Sequence, residues 1–263
     1  TPTTRDDYHY SALHIERDEL GLVPVNEVTT DDVNAWSRRR IALGTAPDTL
    51  NKSFKLGKRL YAVLLKRSND TIGRNPFDGA LAPRVIARPR NALRSDLVPK
   101  LNSVTSMMPD STFRRAVVLA LHTGMRIGEV CGLRWCDVDF KTGLINVNHT
   151  LVYYNHRDEH GCYFSINTPK TKNSCREIPI NKELLTMVKP LKKVVNNEFY
   201  VLTNEEKPTE PRTYRNYYHR LMKRLDIPRL KYHGLRHSFA TRCIESNCDY
   251  KTVSVLLGHA NIT

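Results

Sequence analysis

The chain has 263 residues, enough for one large domain or two modest ones, each able to bury a core. Its formal net charge is +14, so an enzyme of small neutral substrates is not the default reading and a polyanion becomes the leading partner. No apolar run reaches the roughly 18–20 residues of a membrane span, no signal peptide opens the chain, and none of Cys131, Cys136, Cys162, Cys175, Cys243 and Cys248 stands in a Cys-x-x-Cys pair, so neither a membrane anchor nor a metal site is expected. Reduced, partly buried thiols in a cytosolic protein are the better reading. The charge is uneven: 13 basic side chains meet 11 acidic ones in residues 1–85, against 28 and 16 in residues 86–263. The second part is the stronger polyanion binder.

Residues 1–80 read as helical. Val28-Thr29-Thr30-Asp31-Asp32 is a helix start with Thr30 or Asp31 as N-cap, followed by apolar Val33, Trp36 and Ile41. Ala46-Pro47-Asp48-Thr49 opens another helix, with an apolar stripe of Leu50, Phe54, Leu60, Tyr61, Leu64 and Leu65. Among these fall Lys52, Lys55, Lys58, Arg59, Lys66 and Arg67, and no acid occurs from Thr49 to Asn69. That imbalance favours a DNA-facing surface carried by Lys52, Lys55 and Arg59 over a merely solvated face. Asn75-Pro76-Phe77 closes the bundle, giving a helical domain over residues 1–81. Residues 82–92, with Arg88, Pro89 and Arg90, read as an extended basic linker whose arginines follow a phosphate backbone.

Residues 93–263 change to mixed α and β. Helices are expected over 95–104 and 111–122, then a tight turn at Thr123-Gly124 leads to a helix carrying Arg126 and Glu129. Leu144–Val147 is a strand, and Cys162–Ile166 and Arg176–Ile180 alternate like strands paired around the turn 170–174. Helices resume over 181–188, 213–225, 233–246 and 249–257. The expected fold class is mainly α with a small antiparallel sheet. In 212–224, Arg212, Arg215 and His219 are interleaved with tyrosines, a pattern suited to a nucleic-acid groove, with Arg215 and His219 one turn apart. Tyr250, at a helix start, is expected to pack.

The densest signal is Tyr232-His233-Gly234-Leu235-Arg236-His237 and, a helix later, Leu256-Leu257-Gly258-His259. His233, Arg236 and His237 share a helical face near a helix start, which suits a phosphate. Thr123-Gly124-Met125-Arg126-Ile127-Gly128-Glu129 and Thr168-Pro169-Lys170-Thr171-Lys172-Asn173-Ser174, followed by Arg176-Glu177-Ile178-Pro179, precede it in that order. Together these segments resemble the tyrosine recombinases, the phage-type integrases, from about Thr30 to the last residue, and the variable segments look most like integrases of phages and conjugative transposons. The resemblance implies a helical core-binding domain followed by an α+β catalytic domain.

It also implies a chemistry. The DNA strand is cut by a tyrosine, leaving a 3′-phosphotyrosyl link and a free 5′-hydroxyl. The bond energy is conserved, so neither ATP nor a metal or other cofactor is needed. Carried over to this chain, Arg126 and Arg236 would hold the scissile phosphate, with Glu129 orienting Arg126. His233 and His259 would bond the phosphate and handle the nucleophile's proton, with His237 in support. Lys170, or alternatively Lys172, would protonate the leaving oxygen. No tyrosine stands in the nucleophile's place, which falls beyond Thr263, so this stretch should hold the pocket without cutting. Implied partners are double-stranded DNA, further copies of the chain in a tetrameric synapse and a DNA-bending protein, in the cytoplasm at the nucleoid. A type IB topoisomerase-like enzyme and a non-catalytic DNA-binding regulator on the same scaffold stay open as rivals.

Overall fold

The computed structural model describes residues 2–67, 73–86, 92–155, 162–167, 175–192, 196–228 and 230–258. The chain forms two compact units, 1–88 and 89–263.

The first unit is built from α1 (Pro2–Glu16), α2 (Thr30–Ala42) and α3 (Pro47–Leu65). Its core gathers Leu20, Val33, Trp36, Leu50, Phe54, Tyr61 and Phe77. The Trp36 indole donates to the His14 carbonyl at 2.8 Å, which satisfies the one polar atom that its burial would orphan. The N-cap of α2 is Thr29, one residue before the expected Thr30 or Asp31. Thr29 accepts from the Asp32 N–H, and Asp32 returns a bond from the Thr29 N–H, a reciprocal pair open neither to Thr30 nor to Asp31. Two expected apolar positions face solvent instead: Ile41 is 48% exposed and Leu60 50%, while Leu56 takes the inward position on α3.

The second unit centres on α5 (Thr112–Thr123), which packs against α4 (Leu97–Met107), α6 (Ile127–Gly132), α7 (Lys182–Lys192), α8 (Pro211–Arg224) and α9 (Gly234–Glu245). The last described helix is α10 (Tyr250–Leu257). Leu119, Trp135, Ile145, Leu151, Ile178, Tyr218 and Leu235 are among its core residues. Antiparallel β1 (Val138–Asp139), β2 (Leu144–Val147) and β5 (Arg176–Pro179) form one sheet in that order. A separate hairpin pairs β3 (Thr150–Asn155) with β4 (Cys162–Asn167), from Thr150↔Asn167 to Asn155↔Cys162.

The expected pairing of the 162–166 strand with the 176–180 strand is therefore wrong. The run Thr150-Leu151-Val152-Tyr153-Tyr154, rich in β-branched and aromatic residues, lies just upstream of β4 and takes it as a local partner. β5 instead joins β2, with Val147 opposite Arg176. Tyr250 does not pack either: it opens α10 at 72% exposure, while Tyr214, Tyr218 and Tyr232 fill the interior.

The turn between α5 and α6 fixes the entrance to the site. Gly124 caps α5 at φ 64° and donates to the Ala120 carbonyl at 3.1 Å. A Cβ there would come within 2.5 Å of the Phe239 ring and 2.9 Å of Leu257, so conformation and space both require glycine. Gly124→Ala should lower stability by about 1–3 kcal/mol. Urea unfolding measures this, and an unchanged midpoint would refute the constraint.

Candidate functional site

The turn at Gly124 delivers Arg126 to the N-cap of α6, with Glu129 one turn later. The Glu129 carboxylate accepts the Arg126 backbone N–H at 2.7 Å through Oε2 and the Arg126 Nη1 at 2.8 Å through Oε1. A second arginine takes the same carboxylate from the opposite side. Arg176 on β5 donates Nη1 to Oε1 at 3.2 Å and Nη2 to Oε2 at 2.8 Å. The side chains of Arg176 and Glu129 are 2% and 4% exposed. Burial alone would raise the Glu129 carboxyl, but the hydrogen bonds and charge of Arg176, with Arg126 adding, hold it below the ordinary value of 4.5.

Three guanidiniums then meet the end of α10. Arg176 Nε donates to the Leu256 carbonyl at 2.6 Å, Arg236 Nη2 donates to Leu257, and Arg126 Nη2 reaches Gly258 at 3.5 Å. These carbonyls lie in the last turn, where helix oxygens lack partners and the dipole favours cations. Gly258 stops the helix at φ 65°. Arg236 also donates Nη1 to the Gly124 carbonyl at 3.0 Å, tying α9 to the turn ahead of Arg126.

Burial lowers the Arg236 guanidinium to about 9, with the charges of Arg126 and Arg176 adding to that and Glu129 opposing it. It stays a cation at neutral pH, so the cluster carries three positive charges against one carboxylate. Arg126 is its outlet to solvent, with a side chain 40% exposed. Such a cluster can bind an anion of phosphate size and stabilise negative charge developing on it.

The expected site residues divide as follows. Arg126 and Arg236 converge on the end of α10, while Glu129 bonds Arg126 and Arg176. His233 occupies the N-cap of α9, exposed, and its ring meets that of His237 edge-on at 5.0 Å between centroids. Arg236 does not share their exposure, because it turns inward to Gly124 and Leu257. His259, Lys170, Lys172, Arg88 and Arg90 lie outside the described residues. Lys52, Lys55 and Arg59 are exposed on α3, and Arg59 bonds the Tyr8 hydroxyl. Their charge is less unbalanced than the local sequence implied, since Asp7 approaches Lys52 at 3.8 Å and Asp78 pairs with Lys58 at 2.8 Å. On α8, Arg212 and Arg215 are exposed and His219 is half-buried, while Tyr214 and Tyr218 face the core. Among the described residues, no group of three or more His, Cys, Asp or Glu could hold a metal, and no helix is long and apolar enough to cross a membrane.

Arg176 is the residue missed from sequence. A signal was present: Arg176 and Ile178 alternate inward along β5, and a cation on a core face requires a partner.

A model of the phage integrase family matches residues 91–263. The chain belongs to the phage integrase family. Among its curated relatives is the transposase of transposon Tn916 from Enterococcus faecalis, 26% identical over 94% of this chain and 64% of the relative. A XerC-like tyrosine recombinase from Caldanaerobacter subterraneus subsp. tengcongensis is 31% identical over 62% of this chain and 46% of its own length. The chain thus spans less than two thirds of these relatives. Among solved structures, the Tn1549 transposon integrase in complex with transposon right end DNA superposes with a TM-score of 0.82 at 26% identity, covering 98% of this chain and 86% of the other. A lambda integrase tetramer bound to a Holliday junction shares the fold, with a TM-score of 0.73 at 20% identity. The mostly helical architecture with small antiparallel sheets is that of the tyrosine recombinases.

A depressed carboxyl contributes its full stability above the unfolded value and loses it as pH falls through the folded one. Glu129→Gln should cost about 3–5 kcal/mol at neutral pH, because it leaves the Arg176 charge buried without its counter-ion. In urea titrations the gap to wild type should narrow once pH drops below the ordinary glutamate value of 4.5. A gap that does not change with pH would contradict the ion pair.

Proposed function

We propose that this chain is the DNA-binding and phosphate-holding core of a site-specific recombinase of a phage or conjugative transposon, acting by transesterification through a 3′-phosphotyrosyl intermediate. The observation that carries the reading is the cluster of Arg126, Arg176 and Arg236 around one carboxylate and one helix end, with Arg126 opening to solvent. Family membership supports it, as does likeness to an integrase solved on its own transposon end.

Each role follows from the chemistry of the residue. Arg126 supplies a forked cation for the non-bridging oxygens as charge builds in the transition state, and Arg236, held inward on Gly124 and Leu257, adds its positive charge behind it. Glu129 holds Arg126 in place. His233, exposed at the start of α9, bonds the phosphate and moves the nucleophile's proton, with His237 against its ring and His259 completing the set. Lys170, with Lys172 as the alternative, protonates the 5′-oxygen. The reaction class calls for a tyrosine as nucleophile. The covalent phosphotyrosine preserves the bond energy, so the reaction draws on neither ATP nor a metal.

Residues 1–81 are assigned as the core-binding domain, 82–92 as a basic linker, and 93–263 as catalytic. DNA contacts are assigned to Lys52, Lys55 and Arg59 on α3, to Arg88 and Arg90, and to Arg212, Arg215 and His219 on α8. Exchange of two duplexes requires four strand cleavages, one tyrosine each, which makes four copies the working assembly. A DNA-bending protein would help to fold the sites together, and the reaction takes place where bacterial DNA lies, in the cytoplasm.

The test uses the intact gene product and a nicked duplex bearing the end of its element, in excess chelator. A covalent 3′ adduct should form. Arg126→Ala or Arg236→Ala should slow its formation roughly 100-fold or more, the scale of a lost transition-state charge partner, with a much smaller change in duplex affinity. Dependence on Mg²⁺, or full activity in both variants, would overturn the reading.

A further inference from the structure

Arg176 has no part in the chemistry assigned above, yet among the described residues its guanidinium makes three bonds to two different parts of the site. Two go to the carboxylate that holds Arg126, and the third goes to the Leu256 carbonyl in the last turn of α10. Its backbone is fixed by the central sheet, opposite Val147 on β2. A strand, the start of one helix and the end of another are therefore joined through one side chain.

Lysine at this position could not reproduce the arrangement. The contacts with Glu129 are the parallel fork that only a planar guanidinium offers, and the Leu256 bond uses the Nε of the same plane. A buried cation need not be there for stability alone, since apolar residues of like volume often serve as well or better. What the arginine supplies is direction. Glu129 has two oxygens, and both are shared between Arg126 and Arg176. Without Arg176 the carboxylate can rotate about its last bonds and take Arg126 with it. The same loss frees the end of α10 on which Arg236 also bears.

We infer that Arg176 is a positioning residue for phosphate cleavage: it locks Glu129 so that Arg126 is held for the scissile phosphate, and it clamps the α10 terminus to the central sheet. This rests on the proposed recombinase reading. The inference predicts that Arg176 acts on the transition state through Arg126 rather than through contact with DNA.

The experiment is a double-mutant cycle on adduct formation in the intact gene product. Arg176→Lys should slow cleavage about 10- to 100-fold, with duplex affinity within about threefold of wild type. In an Arg126→Ala background, adding Arg176→Lys should slow cleavage by less than about threefold, because the group it positions is gone. Full multiplication of the two effects would overturn the inference, as would a wild-type rate for Arg176→Lys. If Arg176→Lys does not fold, the neutral pair Glu129→Gln with Arg176→Gln keeps hydrogen bonding without a lone buried charge. That pair should fold, bind duplex and cleave poorly, and near-wild-type cleavage would overturn the inference. Failure of the wild-type protein itself to form an adduct would instead remove the recombinase reading.

Discussion

The Glu129 carboxylate is the constraint on which the site depends. It is almost wholly removed from water, and it accepts bonds from the Arg126 backbone, the Arg126 side chain and both terminal nitrogens of Arg176. An isolated buried carboxylate would be strongly disfavoured, so each arginine is required by the other's partner. The N-terminus of α6, strand β5 and the end of α10 are thereby held by one network of charge-assisted bonds. Gly124 and Gly258, both with left-handed backbone, make the chain turns that let those elements meet.

The network is deliberately unbalanced. One carboxylate serves three guanidiniums, and the Arg236 guanidinium sits well below its ordinary range because burial and its neighbours disfavour its charge. Charges of one sign held this close in a low-dielectric setting repel strongly. A phosphate entering beside Arg126 would relieve that repulsion, and the doubly charged geometry of phosphoryl transfer would relieve it more. On the proposed reading, that relief is greatest in the transition state, which the cluster would therefore favour.

Much of this was legible in the chain. Gly124 and Gly258 stand where a helix must end, Ser111 stands where one must begin, and the basic and aromatic positions of α8 separate into outer and inner faces at helical spacing. What was not legible depended on partners distant in sequence. The run 150–154 has strand composition, yet composition does not say which strand pairs with which, so the neighbour of β4 was not legible. By contrast, Thr29 rather than Thr30 has an acid three residues on, and the capping box with Asp32 follows from that spacing. The charge on α3 seemed unopposed because its acids, Asp7 and Asp78, come from elsewhere in the chain. Arg176 is not legible as a site residue because its partner Glu129 is 47 positions away.

The central claim is that this arginine cluster exists to offset phosphate charge. Replacing one non-bridging oxygen of the scissile phosphate by a methyl group removes that charge while leaving the cleaved bond in place. The most direct measurement is therefore adduct formation by wild type and Arg126→Ala on phosphate and methylphosphonate duplexes. The account predicts that the large defect of Arg126→Ala on phosphate shrinks to within a few-fold on the neutral methylphosphonate. An equal defect on both substrates would mean that Arg126 only holds the fold together, and would contradict the account.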